Sequence, residues 1–162
     1  GSLLFRVFKF RPANPVKAVE EGSAAAAVPK YKRPKPGISD DTRFFWEGVD
    51  AGQLRIQRCK GCGTLRHPPG PVCSSCHSFE WDYVEAAGTG QLYSFVVMHY
   101  PEVPPFDYPS PIGLIELDEG VRLIAGLVGV KRDEIRIGQR VKVEFQTFDD
   151  GLTLPMFRPL EP

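Results

Sequence analysis

Residues 59–76 read CKGCGTLRHPPGPVCSSC and hold all four cysteines of the chain. Cys59 and Cys62 form one C-x2-C pair, Cys73 and Cys76 form a second, and residues 63–72 lie between them. Two-residue spacing lets a tight knuckle turn both thiolates toward one ion, and Gly61 and Gly63 permit the backbone such knuckles use. Two knuckles meeting face to face make a closed tetrahedral site of four sulfurs, as in a structural zinc ribbon. The expected ion is Zn2+, although iron in a rubredoxin-like site takes the same ligands. The gap is long enough for a β-hairpin between the knuckles. Two disulfides would need an oxidising compartment. A thioredoxin-type redox site would use a single C-x2-C beside a βαβ unit. His67, His77 and His99 are expected outside the completed shell. His77, directly after Cys76, is placed either to hydrogen-bond a thiolate or to face solvent.

N-terminal to this motif, Ser39 is a plausible N-cap. Asp40 and Asp41 sit where a helix dipole favours acids, and Gly52 suits a C-terminal stop. The intervening DDTRFFWEGVDA predicts a helix of about three turns. Phe45 and Val49 share a face, whereas Phe44 and Trp46 splay to either side. Three adjacent aromatics exceed what so short a helix needs, so Phe44, Phe45 and Trp46 are candidates for a partner surface.

C-terminal to it the pattern turns to strands. Phe79, Trp81 and Tyr83 alternate, and strands are expected over 91–99, 112–119, 121–130, 140–148 and 152–157, with Asp118-Glu119-Gly120 as a hairpin turn. Asp149-Asp150-Gly151 reads as a second turn. Five strands with short links match an OB-fold barrel, whose closure hides strand edges. The fold class expected is mainly β: an N-terminal helix, a rubredoxin-like zinc ribbon, then a five-stranded OB-fold. The longer link, 100–111 (YPEVPPFDYPSP), holds five prolines with Tyr100, Phe106 and Tyr108. A Pro-braced aromatic loop loses little entropy on binding, so these three join the partner-surface candidates.

Composition narrows the function. Among 162 residues there are 20 Lys/Arg and 20 Asp/Glu. Residues 1–37 carry eight basic and two acidic side chains, a balance of +6, which leaves −6 on the rest. The expected barrel, 88–162, has seven basic and eleven acidic residues, the wrong sign for phosphate binding, so nucleic acid is not expected as a partner. No run of about 18 apolar residues exists to span a membrane. The first apolar stretch, broken by Arg6, Lys9 and Arg11, does not read as a secretory signal, and a cytoplasmic protein is expected. No nucleophile elbow, His-Glu metal motif, P-loop or dinucleotide fingerprint is present, so no catalytic residue or organic cofactor is assigned.

Four segments are expected: 1–11, a tag scar (Gly1-Ser2) with a remnant strand of an upstream domain; 12–37, a Pro/Ala-rich linker; 38–86, helix plus ribbon; and 87–162, the OB-fold. The linker's basic patch, Lys30 to Lys35, is read as solvated.

The succession FFWEGVDAGQLRIQRCKGCG (44–63), HPPGPVCSSC (67–76), AGTGQLYSFVVMHY (87–100), IRIGQRVKVEF (135–145) and LPMFRPL (154–160) resembles an acyl-CoA-associated family of zinc-ribbon plus OB-fold proteins, long catalogued as a numbered domain of unknown function. The resemblance covers about 39–160 and keeps Cys59, Cys62, Cys73 and Cys76 in place. It implies a non-catalytic accessory subunit of a thiolase-superfamily enzyme, near the passage of an acyl-CoA. LLFRVFKFRPA (3–13) looks like the end of a MaoC-type hot-dog hydratase domain. Together these are similar to a steroid-side-chain enoyl-CoA hydratase chain whose C-terminal module joins a lipid-transfer-protein-like, thiolase-fold aldolase. The resemblance implies a hetero-oligomer with such an aldolase, active in retro-aldol cleavage within steroid (cholesterol) catabolism. A free-standing acyl-CoA-binding or channelling module is the alternative, and a nucleic-acid-binding ribbon/OB protein a weaker one.

Overall fold

The computed structural model describes residues 32–148 and 151–160. The expectations for 1–11, for most of the linker and for Asp149 and Asp150 lie outside these residues.

Helix α1 spans Arg43–Asp50, shorter than the three turns expected. Thr42, not Ser39, is its N-cap. Ser39 and Thr42 instead close a turn of their own: the Ser39 amide donates to Thr42 Oγ1 (2.9 Å), and the Thr42 and Arg43 amides donate to Ser39 O. Asp40, displaced outside the helix, pairs with Arg43 at 3.0 Å. The C-terminal stop is as expected. Gly52 takes φ +72, its amide donates to Val49 O and that of Gln53 to Gly48 O, the paired bonds of a Schellman motif.

Three strands follow: β1 Arg55–Cys59, β2 Leu65–Arg66 and β3 Trp81–Glu85, arranged β2-β1-β3 and antiparallel. The hairpin between the knuckles does not form. Instead β2 turns back onto β1, so the hairpin encloses the first knuckle, and β3 adds to the other edge of β1 after the second. Phe79 precedes β3 and is exposed. Because β1 is central, the period-two pattern breaks: Ile56 and Gln57 are adjacent and both buried.

The second sheet has the order β6-β5-β4-β7-β8, from β4 Thr89–Met98, β5 Ser110–Leu117, β6 Arg122–Gly126, β7 Arg140–Thr147 and β8 Thr153–Pro159. Gly120 at φ +80 makes the expected β5–β6 hairpin. Its ends nearly meet. Leu127 bridges Phe157, and the Val128 amide donates to Phe157 O at 2.9 Å, closing the five strands into an OB-fold barrel. Inside lie Leu92, Ile115, Leu117, Leu123, Ala125, Leu127, Val141 and Phe157, continuous with Phe44, Phe45, Val49, Leu54 and Ile56 of the helix and ribbon. No helix among the described residues is long and apolar enough to cross a membrane.

Polar pairs tie the barrel's outer surface. Arg140 grips Asp118 with two 2.7 Å bonds, and Thr89 Oγ1 donates to the same carboxylate. These bonds, Arg140's first, hold the Asp118 carboxyl down to about 2. A depressed carboxyl stabilises the fold above its unfolded value of about 4, and that contribution is lost as pH falls toward about 2. In Asp118→Asn the melting temperature is therefore expected to fall less steeply between about pH 4 and pH 2 than in the parent. Melts at five pH values across that window check it, and identical slopes would remove Asp118 from the acid response.

Candidate metal centre and partner surface

The two knuckles are built alike. In the first, the Gly63 amide donates to Cys59 O (2.8 Å) and the Cys59 amide to Thr64 O (2.9 Å). In the second, the His77 amide donates to Cys73 O (2.9 Å) and the Cys73 amide to Ser78 O (3.0 Å). The residue after the second cysteine of each pair takes positive φ, Gly63 at 75 and His77 at 58. His77 is thus fixed by its backbone, with an exposed ring and no side-chain hydrogen bond to sulfur among the described residues. Gly61 serves close approach instead: a Cβ there would lie 3.1 Å from Ser78 Cβ and 3.3 Å from Cys76 Sγ.

The knuckles face each other across a cluster in which all four sulfurs lie within 4.8 Å of one another. Cys59 and Cys76 approach to 3.5 Å, and Cys62 and Cys73 to 3.6 Å. A disulfide needs about 2.05 Å, so these are free thiols. Four sulfurs at about 2.3 Å from a central ion would sit about 3.8 Å apart, so the cluster fits a tetrahedral metal site. Local donors favour thiolates at Cys73 and Cys62, whereas at Cys76 the pull of the Ser78 backbone is overcome by the neighbouring sulfurs, which push the thiol up to about 12. Backbone hydrogen bonds from Cys76 and Ser75 pull the Cys73 thiol down to about 6, and Thr64, with its hydroxyl 3.1 Å from Cys62 Sγ, lowers that of Cys62. Cys59 and Cys73 are buried, while Cys62 and Cys76 reach the surface. His67 turns away and packs its ring 5.1 Å from that of Phe45, and burial lowers its pKa.

A residue not singled out in the sequence holds the loop between the knuckles. Gln57 is fully buried and binds Gly70 twice: Nε2 donates to Gly70 O (3.1 Å), and the Gly70 amide donates to Oε1 (2.9 Å). Arg66 Nε donates to the same Oε1 at 2.7 Å. Its one sequence signal is an amide inside the otherwise strand-like RIQRC.

The six partner-surface candidates separate into two groups. Phe44 and Phe45 are only 7% and 5% exposed, which corrects their assignment to a partner surface. Phe44 lies 5.0 Å from Trp81 and stacks on Tyr83 at 5.7 Å, and Phe45 meets Trp46 edge-on at 5.2 Å. The ribbon sheet is too small to close a core alone, and α1 spends these aromatics covering it. Trp46 is half-buried. Tyr100, Phe106 and Tyr108 gather on the loop joining β4 to β5, with Tyr100 87% exposed and Phe106 and Val103 also open to solvent. No ring contact joins this loop to the helix aromatics among the described residues.

A four-cysteine zinc ribbon fused to a five-stranded OB barrel is the architecture of one class of small β modules. Family models agree: residues 46–82 match the rubredoxin-like zinc ribbon domain of ChsH2 and residues 83–146 its C-terminal OB-fold domain. The chain belongs to this DUF35 family. It is 46% identical over 158 residues to a probable enoyl-CoA hydratase alpha subunit of Thermomonospora curvata, covering 98% of this chain and 47% of that protein. The 3-oxo-4,17-pregnadiene-20-carboxyl-CoA hydratase alpha subunit of Mycobacterium tuberculosis is 40% identical, covering 90% of this chain and 45% of that one. The chain thus spans about half the length of these curated relatives. Benzoylsuccinyl-CoA thiolase subunit BbsA of Thauera aromatica is 35% identical, over 59% of this chain and 70% of BbsA. Among solved structures, the Ltp2-ChsH2(DUF35) aldolase has a chain 51% identical at a TM-score of 0.74, covering 77% of this chain and 98% of that one.

Proposed function

We propose that the chain is a non-catalytic subunit that binds a thiolase-fold aldolase and makes it competent for retro-aldol cleavage of a steroid side-chain acyl-CoA. The likeness to nearly the whole of a chain in the Ltp2-ChsH2(DUF35) aldolase carries this reading. The likeness to a named thiolase subunit supports the class of partner. In this reading Cys59, Cys62, Cys73 and Cys76 hold a structural Zn2+, and the partner surface is the β4–β5 loop with Tyr100, Phe106 and Tyr108. The electrostatics favour a protein over a polyanion, because Arg58, Arg122, Arg140 and Arg158 are each paired with a carboxylate. Arginines so engaged offer no free track for phosphates.

Co-production with such an aldolase, purification through a tag on one chain and an assay of carbon–carbon cleavage test the proposal. Joint purification, with activity that neither chain has alone, is expected. A zinc-loaded chain that captures no aldolase and leaves its activity unchanged would overturn it, and binding of acyl-CoA by that chain alone would favour the carrier alternative. Replacing Phe106 and Tyr108 together by Ala is expected to weaken the complex about 10- to 100-fold while the metal content stays the same. Calorimetric titration measures the affinity, and an unchanged value would take the loop out of the interface.

A further inference from the structure

Residues 32, 34, 35 and 37 of the segment entering the helix are exposed, and one side chain, Arg33, stands apart from them. Among the described residues, Arg33 forms all the hydrogen bonds, ion pairs and ring contacts that 32–37 has. Its guanidinium carbon lies 4.0 Å from the ring centre of Phe148, just after β7, and 5.1 Å from that of Phe106 in the β4–β5 loop. Nη2 also reaches Asp107 Oδ2 at 3.5 Å. Although it lies in an irregular segment, the Arg33 side chain is only 18% exposed, whereas that of Asp107 is fully exposed. The ring contacts therefore define the seat more than the ion pair does.

The loop has reason to need such a brace. Residues 102–108 curve around an open recess of ≈ 540 Å³ instead of collapsing onto the barrel. Within the loop the Phe106 amide donates to Val103 O at 3.2 Å, a single backbone bond across the turn. Phe148 opens the β7–β8 turn, where its amide donates to Leu152 O and its carbonyl accepts from the Gly151 amide (both 2.9 Å), and it is the platform at the barrel's end. A planar cation facing both rings links the platform, the loop and the entering chain at one point.

We propose that Arg33 is a positioning residue for the β4–β5 loop: it pins Phe106 to the barrel through Phe148 and makes the loop's shape depend on the segment that precedes the helix. The loop's role in docking rests on the function proposed above, but the pinning does not. Hydrogen exchange on the full chain reads the pinning directly. In Arg33→Ala the Phe106 amide is expected to exchange about five-fold faster, with those of 141–145 unchanged. Arg33→Lys, which keeps the charge but loses the planar stacking, is expected to recover less than half of the protection. Asp107→Asn is expected to change it little. Unchanged exchange in Arg33→Ala, or full recovery by Lys, would overturn the proposal. Titration of the aldolase separates the two readings. Faster loop exchange with a matching loss of affinity supports both. Faster exchange with unaltered affinity upholds the pinning and removes the loop from the interface.

Discussion

Cys73→Ser is expected to leave the chain without its metal ion and without a folded ribbon. Cys73 is buried, its amide and carbonyl both belong to the second knuckle, and its sulfur faces that of Cys62. Metal binding in zinc-finger peptides contributes about 10–16 kcal/mol, comparable to or larger than the whole stability of a small domain, about 5–15 kcal/mol. The ribbon has little with which to offset that loss. Strand β2 is two residues long, and the apolar cover of the sheet comes from α1. Metal analysis is expected to fall from one ion per chain to none, and exchange protection of β1 and β3 is expected to vanish. A chelator acting on the parent protein is expected to do the same. A metal-free variant with full protection of Arg55–Cys59 would show that the ribbon stands without its ion. Retention of a full equivalent of metal would show that three sulfurs suffice.

The second large effect is expected inside the barrel. Phe157 has no solvent-exposed surface, sits opposite Val143 across β7–β8 and carries the carbonyl that Val128 uses to close the barrel. Truncation to Ala keeps that backbone bond but empties the centre of the core, which typically costs about 3–5 kcal/mol. Urea denaturation of Phe157→Ala should therefore show a much lower midpoint with a similar slope. Leu160→Ala, at an exposed position just past β8, is the matched control and is expected to cost less than about 0.5 kcal/mol. A Phe157→Ala loss as small as the control's would mean that the barrel collapses to fill the cavity.

Some parts of this molecule are legible because their causes are local. The four cysteines needed only spacing, since each knuckle is closed by bonds within six residues, such as Cys59 to Thr64. RVKVEFQT alternates in sequence and its burial follows from Arg140 to Lys142, and Gly120 marks the β5–β6 turn because few residues take φ +80. Other parts depend on partners far away in sequence. Phe44 looked surplus until β3 supplied Trp81 and Tyr83, and Phe45 until His67 packed against it; α1 also meets β8. The role of Gln57 depends on Gly70, which comes back over it and binds both ends of its amide. Arg33 sits among prolines and lysines that carry no periodicity, and its seat is built from residues 106, 107 and 148. No window of sequence around it contains that information.

That α1 meets β8 matters while the chain is being made. The helix leaves the ribosome first and the last barrel strand leaves about 100 residues later, some 5–20 s of synthesis at ordinary rates. For that interval the cover that the described residues offer Phe44, Phe45 and Val49 is the ribbon sheet, which is complete once Glu85 has emerged. With the proposed ion joining its knuckles, the sheet takes its shape only once metal is bound. Under the proposed metal site, metal supply during translation would set how long the nascent helix stays open to chaperones and to neighbouring chains.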